Sequence, residues 1–200
     1  MKKLLILCAL LAFPLALFAA PEIGKIAPAF SLKDPSGKLI SLSQFKGKTV
    51  VLEWTNFGCP FVKKHYGTGN MQKLQKEATA QGVIWLSICS SAPNKQGYYS
   101  PADAKKAVLD EGSKATDYLL DSTGEVGKLY GAKCTPELFI INKEGILVYQ
   151  GAIDDVKSVK PEDVATAHNY VSAALKEILA GKPVTTPSTS AYGCSVKYEN

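Results

Sequence analysis

Two short apolar runs, residues 50–52 and residues 83–88, stand out in the hydrophobic pattern of the chain. Runs of this length are typical of strands that are buried on both faces of a sheet. The segment between them predicts a helix that is interrupted at residues 67–69 and resumes over residues 71–80. Because a strand–helix–strand order implies a right-handed crossover with parallel pairing, the carboxyl ends of both strands should share one edge of the sheet.

Further elements flank this central unit. A Pro-Ser-Gly turn at residues 35–37 predicts an N-terminal hairpin, and a Lys-Glu-Gly turn at residues 143–145 predicts an antiparallel pair over residues 137–153. Pro161 predicts the start of a helix whose apolar stripe runs to Leu179. The order of the elements predicts an α/β fold of three layers, in which a central mixed sheet carries helices on both faces.

Residues 1–20 have the pattern of a secretory signal peptide. Lys2-Lys3 precedes an uncharged apolar run over residues 4–17, and Ala19-Ala20 supplies the small residues of a cleavage site. The short run argues against a lasting transmembrane helix, so we expect membrane contact only if the signal stays uncleaved. The sequence therefore predicts an exported protein, either periplasmic or secreted.

Composition limits the domain count and the partners. The 200 residues are 46% hydrophobic, which suits one domain with an ordinary core. We assign that domain to residues 21–182, and a tail rich in Pro, Ser and Thr to residues 183–200. The net charge of +5 comes from scattered lysines, and the sequence contains no arginine, which gives no support to nucleic-acid binding. No pattern indicates a bound cofactor.

Cys59 is the strongest candidate for chemistry. Phe57-Gly58 breaks the central strand, and Pro60 then occupies a first-turn position where a helix needs no N–H. A cysteine at that point faces the unpaired amides and the positive end of the helix, which stabilise a thiolate. The sequence thus predicts a nucleophilic sulfur. The alternatives are a small buried residue and one half of a structural disulfide.

Residues 50–66 resemble the active-site segment of the thioredoxin-like superfamily, which usually carries Cys-x-x-Cys at a strand-to-helix junction. Cys59 matches the first cysteine, whereas Val62 replaces the second. The resemblance implies that Glu53 is a buried acid that moves protons for the cysteine. It also implies that Pro136 is the proline that follows a cis peptide bond and whose loop packs against the active cysteine.

The combination of Gly-Cys-Pro-Phe-Val-Lys-Lys-His with Cys-Thr-Pro is similar to the redoxin, or AhpC/TSA, branch, a peroxiredoxin-like group, over residues 22–180. Two features depart from peroxiredoxins: Asn56 replaces their Thr or Ser, and their arginine is missing. A peroxidase must stabilise charge on a departing hydroxide, for which lysine lacks the planar fork of arginine. We therefore expect a thiol–disulfide oxidoreductase that acts on protein thiols or disulfides or uses an external thiol donor. A peroxiredoxin-like thiol peroxidase is the alternative.

A second sulfur is needed because Val62 leaves the motif with one thiol. Cys134 is the predicted resolving cysteine, since the resemblance places the loop before Pro136 over the first helical turn. A bond between Cys59 and Cys194, through a tail that folds over the domain, stays open. The four cysteines beyond the signal allow three fully paired arrangements, and a purely structural role for all of them is a further alternative.

A metal carrier is a hypothesis of another class. Cys59, His65, Cys89 and Cys134 could together bind copper or zinc. However, His65 is six residues beyond Cys59, which places it well around a helix from that cysteine. We therefore predict no metal site.

Overall fold

The computed structural model describes residues 20–199. The signal peptide predicted for residues 1–20 lies outside these residues, apart from Ala20, and stays a prediction. Within the described part of the chain, no helix combines the length and the apolar content that crossing a membrane requires.

The described chain forms strands, helices and two short 3-10 helices, which lie at Leu42–Phe45 and Pro161–Ala165. The strands are β1 (Ser31–Lys33), β2 (Leu39–Ser41), β3 (Val50–Trp54), β4 (Ile84–Cys89), β5 (Asp117–Leu120), β6 (Cys134–Thr135), β7 (Glu137–Ile141), β8 (Leu147–Gly151) and β9 (Cys194–Ser195). The helices are α1 (Pro60–Gly67), α2 (Asn70–Ala80), α3 (Pro101–Asp110), α4 (Glu125–Tyr130) and α5 (Tyr170–Leu179).

A seven-stranded mixed sheet forms the centre of the fold, in the order β2-β1-β5-β4-β3-β7-β8. The three strands β3, β4 and β5 run parallel, whereas β7 pairs antiparallel with β3 and β8. Strand β3 is buried along its whole length. The predicted crossover from β3 through the helices to β4 is confirmed, and both strands end at the edge of the sheet where α1 begins.

Alternate residues of the central strands face opposite sides of the sheet, as the two-residue period of a strand requires. Val51 and Trp85 pack in one buried cluster with apolar residues of α1, α2 and α5. Leu52 and Leu86 pack in a second cluster with residues of α4. Helices therefore cover both faces, which confirms the predicted three-layer α/β fold.

The helix predicted from Pro161 is wrong at its start. Residues 161–165 form only a 3-10 turn, and α5 begins at Tyr170. The Asn169 side chain accepts a hydrogen bond from the Ser172 amide at 2.8 Å and so caps a new helix there. Just before the cap, the His168 amide donates to the Asp155 carboxylate at 2.8 Å, which holds the chain in a non-helical path.

The C-terminal arm, residues 183–199, folds back along the domain. The Gln150 amide donates to the Pro187 carbonyl at 3.0 Å, and the Thr189 amide donates to the Gln150 carbonyl at 3.1 Å, so the arm first follows β8. It then reaches the edge of the sheet where α1 begins, and its short strand β9 pairs antiparallel with β6. This two-stranded pairing was not predicted, and it brings the end of the arm to the candidate site.

Candidate active site

Cys59 is the N-cap residue of α1, directly before Pro60, as the sequence predicts. Its amide donates to the Asn56 carbonyl at 2.9 Å, and its carbonyl accepts from the Lys63 amide at 2.9 Å. The side chain is fully buried. The cysteine sulfur therefore lies at the positive end of a helix, in a place closed to bulk water.

Groups of Val62, Thr135 and Cys194 surround the Cys59 sulfur. The thiol donates to the carbonyl oxygen of Thr135 at 3.1 Å, and a carbonyl can only accept, so this contact favours the protonated form. Burial opposes the thiolate as well. Hydrogen bonds from the Cys194 side chain and from the Val62 amide outweigh burial and lower the pKa of Cys59 below its ordinary value. The site thus favours a reactive thiolate.

Pro136 follows Thr135 through a cis peptide bond, as the resemblance implied. The loop that carries it packs against Cys59 through the Thr135 carbonyl. Strand β9 pairs with β6 beside this loop, with Thr135 directly opposite Cys194.

Cys134, the predicted resolving cysteine, faces a different environment. Its sulfur lies 4.0 Å from the Pro136 carbonyl and 4.0 Å from a carboxylate oxygen of Glu137. Burial and the Glu137 charge raise the pKa of Cys134 to about 12. The structure pairs Cys194, rather than Cys134, with Thr135, the residue whose carbonyl accepts from the Cys59 thiol, and the Cys194 side chain helps to lower the pKa of Cys59. The role of Cys134 stays a prediction.

Glu53 is buried in the middle of β3, as predicted. Its carboxylate accepts hydrogen bonds from four neutral side chains: Tyr66 at 3.0 Å, Gln75 at 3.1 Å, Trp85 at 2.8 Å and Ser87 at 2.8 Å. Burial outweighs these donors and raises the pKa of Glu53 above its ordinary value. No cysteine is among its hydrogen-bonding partners in the described chain, so any proton transfer to Cys59 must pass through another group.

Asn56 holds the turn before Cys59, a role that the sequence did not reveal. Its side-chain oxygen accepts from the Gly58 amide at 2.8 Å, and its amide group donates to the Gln96 carbonyl at 3.1 Å. The Gln96 side chain in turn donates a hydrogen bond to the Gly58 carbonyl at 3.0 Å. Gly97 sits so close that a Cβ atom would lie 2.2 Å from the Asn56 side-chain oxygen. Asn56 thus fixes the active-site turn against a second loop.

A buried polar cluster, formed by Lys64, His65, Asp154 and Tyr192, lies beside α1 and was also missed. Asp154 accepts a hydrogen bond from the Tyr192 hydroxyl and lies 3.6 Å from the Lys64 ammonium group. His65 Nε2 lies 3.8 Å from the same carboxylate. Burial lowers the pKa of His65 to about 4, so the imidazole is neutral at physiological pH. The cluster joins the C-terminal arm to the first helix.

The ligands proposed for a metal carrier do not converge. His65 Nδ1 is 2.8 Å from the Asn70 side chain, and the Cys89 thiol donates to the Gly97 carbonyl at 3.2 Å. Across residues 20–199, no group of three His, Cys, Asp or Glu side chains is arranged to hold a metal ion. The metal-carrier alternative therefore finds no support in the described residues.

Comparisons with known proteins agree with the geometry. The model of the AhpC/TSA family matches residues 23–150. The thiol-disulfide oxidoreductase ResA of Bacillus thuringiensis subsp. konkukian (strain 97-27) is 30% identical over 74% of this chain and 82% of its own length. The chloroplastic peroxiredoxin Q of Sedum lineare is 31% identical over 72% of this chain and 77% of its own length.

Solved structures extend the similarity to nearly the whole chain. The crystal structure of an uncharacterised conserved protein from Geobacillus kaustophilus has a TM-score of 0.75 and 30% sequence identity. The alignment covers 92% of this chain and 94% of that one. The chain therefore belongs to the AhpC/TSA family, within the thioredoxin-like redoxin superfamily.

Proposed function

We propose that this protein is an exported thiol–disulfide oxidoreductase in which Cys59 is the nucleophile. It is a redoxin-family thiol oxidoreductase, and relatives named thiol-disulfide oxidoreductase and peroxiredoxin both support that broader activity. One observation carries the narrower proposal: Cys59 is the N-cap residue of α1, and its thiol donates to the carbonyl of Thr135, which lies directly opposite a second thiol, Cys194. Protein thiols and disulfides, or an external thiol donor, are the proposed partners.

The proposed reaction starts with the Cys59 thiolate attacking one sulfur of a substrate disulfide. A bond forms between Cys59 and that sulfur, and the substrate's own S–S bond breaks. The second substrate sulfur leaves as a thiolate and takes up a proton from solvent. A second protein thiol then attacks the mixed disulfide, releases the reduced substrate and leaves an intramolecular disulfide, which an external dithiol reduces.

A turnover assay tests this proposal. We expect the protein to accelerate reduction of a peptide disulfide by a dithiol donor, and the rate should be proportional to protein concentration. A rate no higher than that of the donor alone would rule out the oxidoreductase proposal.

Pro136 and Glu53 have supporting roles in the proposal. The Pro136 loop brings the Thr135 carbonyl against the Cys59 sulfur and so defines one wall of the site. Glu53 is the proposed proton donor to the site, because its raised pKa keeps the carboxyl protonated to a higher pH than that of an exposed glutamate.

Glu53→Gln should slow disulfide exchange by about tenfold, less than the loss typical of a proton donor in direct contact with the reacting atoms.

Glu53→Gln should also change how the stability of the protein depends on pH. In the folded protein Glu53 keeps its proton at pH values where the unfolded chain, with a pKa near 4.5, has lost it. Stability therefore falls as pH rises from that value through the raised pKa, and Glu53→Gln should remove this fall. Exchange rates and urea unfolding at several pH values measure both effects.

Asp121→Asn is the matched control for Glu53→Gln. Asp121 is another buried carboxyl with a raised pKa, and it accepts hydrogen bonds from Ser90 at 2.6 Å and from the Gly127 amide at 2.8 Å. We expect Asp121→Asn to alter stability while exchange proceeds at the wild-type rate. Equal exchange rates for wild type and Glu53→Gln would reduce Glu53 to a structural residue.

Export is part of the proposal because of the signal-like residues 1–20. We expect the exported protein to begin at Ala20 or Pro21. N-terminal sequencing of the protein recovered outside the cytoplasm measures this, and a chain that still begins at Met1 would contradict cleavage.

A further inference from the structure

The pairing of β6 with β9 decides which thiol faces Cys59. Thr135 and Cys194 are directly opposite each other in the antiparallel pair, as are Cys134 and Ser195. Residues opposite each other in a ladder project to the same face, and neighbouring residues project to opposite faces. Cys194 therefore shares the face of Thr135, whereas Cys134 projects away from it.

Gly193 lets the arm approach the active-site loop this closely. A Cβ atom at this position would lie 2.1 Å from the Thr135 carbonyl oxygen, the same oxygen that accepts from Cys59. Its φ of +153° is also a conformation that side-chain-bearing residues rarely adopt. Only glycine fits at position 193, and this close approach of the two backbones places the next residue, Cys194, at the site.

Tyr192 anchors the arm on the other side of Gly193. Its hydroxyl donates to the Asp154 carboxylate, and its ring packs edge-on against Phe61 with ring centroids 5.7 Å apart. The Lys64 ammonium group lies 5.7 Å from the centre of the same ring. Phe61 is two residues after Cys59 on α1, and Tyr192 is two residues before Cys194. The anchor thus ties both cysteine-bearing segments together.

We propose that Cys194 is the resolving cysteine for Cys59 and that the Tyr192–Asp154 contact positions it. The inference rests on the proposed disulfide exchange at Cys59 and names the second thiol of that cycle. Cys194 is a catalytic residue in this account because its sulfur attacks Cys59, whereas Tyr192 and Asp154 are positioning residues.

In the resolving step, Cys194 replaces the substrate sulfur as the partner of Cys59. The Cys194 thiol loses its proton to solvent, and its sulfur attacks Cys59 in the mixed disulfide. A Cys59–Cys194 bond forms, and the bond between Cys59 and the substrate breaks. The substrate sulfur leaves as a thiolate and is protonated. The substrate disulfide has then been reduced by two electrons, both supplied by the two protein thiols.

The order of the two steps follows from the charges. Burial, together with the adjacent Cys59 thiolate, raises the pKa of Cys194 to about 11. Capture of Cys59 by substrate removes the Cys59 charge, so Cys194 loses its proton more readily afterwards. Cys59 therefore attacks first and Cys194 second.

Glutathione disulfide is a suitable probe, with acid quenching and peptide mass mapping of each cysteine. Wild-type protein should pass through a brief Cys59–glutathione adduct to a Cys59–Cys194 bond. In Cys194→Ser the adduct on Cys59 should accumulate. Cys134→Ser should resolve the adduct as wild type does, with Cys89→Ser as a control for loss of a thiol that lies outside the β6–β9 pair.

The outcomes separate the two proposals. Accumulation of the adduct in Cys134→Ser, with normal resolution in Cys194→Ser, would overturn the inference and assign the step to Cys134. Normal resolution of the Cys59 adduct in both Cys134→Ser and Cys194→Ser would also overturn the inference. Absence of any adduct on Cys59 in every variant would instead refute the proposed function on which the inference rests.

Tyr192→Phe tests positioning. Loss of the hydrogen bond to Asp154 should slow resolution by about tenfold, while formation of the Cys59 adduct stays as fast or becomes faster because the arm covers the sulfur less tightly. Tyr130→Phe removes another buried hydroxyl, which donates to the Pro28 carbonyl at 2.7 Å and not to Asp154 or to a residue of the arm. It should leave both steps unchanged. Resolution at the wild-type rate in Tyr192→Phe would refute the positioning role.

Discussion

Cys59→Ser should reduce disulfide exchange by at least about a hundredfold, because the remaining active-site thiols are far less ionised at neutral pH. Burial and the Glu137 charge raise the pKa of Cys134 to about 12, whereas the pKa of Cys59 is lowered. The pKa of Cys194 is about 11 beside Cys59, and burial, the largest cause, still raises it when the Cys59 charge is gone. A thiol must ionise before it attacks, so the other two cannot replace Cys59. The measurement is the rate of peptide-disulfide reduction with a dithiol donor.

Cys89→Ser is the matched control for this loss. Cys89 is also buried, at the end of β4, but its thiol donates to the Gly97 carbonyl at 3.2 Å and does not contact Cys59. We expect Cys89→Ser to keep the wild-type exchange rate. If Cys59→Ser kept more than about a tenth of the activity, a different sulfur would have to be the nucleophile.

Peroxide should be a poor substrate, turned over at least about a hundredfold more slowly than a disulfide, which is the loss typical when one preorganised donor to a developing negative charge is missing. The groups around the Cys59 sulfur are the carbonyl and side chain of Thr135, the Cys194 thiol, and the backbone amides of Val62 and Cys194, and none of them is cationic. The Asn56 side chain already forms hydrogen bonds with Gly58 and Gln96, and the sequence contains no arginine. None of these neighbours offers the positive charge and paired N–H donors with which an arginine side chain would stabilise a departing hydroxide.

The measurement compares second-order rates of Cys59 oxidation by hydrogen peroxide and by glutathione disulfide, with the same reduced protein. Similarity to peroxiredoxin Q makes this comparison informative. Fast peroxide consumption that disappears in Cys59→Ser would assign the protein to the thiol peroxidases.

Much of the fold could be predicted because its elements are local. The apolar runs of β3 and β4 and the glycine-containing turns identify the strands, and the order of elements then restricts the topology. The helix at Pro161 was misplaced for a physical reason. Its apolar spacing was helical, but the cap at Asn169 and the Asp155–His168 contact depend on residues that meet only in the folded chain.

The nucleophile could be predicted for the same reason, since Cys59, Gly58 and Pro60 are adjacent in sequence. The sequence favours Cys134 as the resolving cysteine and leaves Cys194 open, because 134 residues lie between Cys59 and Cys194 and only the β6–β9 register brings the two segments together. The one available signal was Gly193 beside Cys194, since glycine often marks a close approach of two backbones. The Asp154–Tyr192 contact joins equally distant segments and had no such signal.

The central claim is that Cys59 is the first sulfur to react with a disulfide. The most direct measurement mixes reduced wild-type protein with less than one equivalent of a peptide disulfide, quenches with acid at early times, and maps the state of every cysteine. Every early product should contain Cys59, either joined to the peptide or bonded within the chain. Early products in which Cys59 stays reduced while Cys89, Cys134 or Cys194 is oxidised would contradict it.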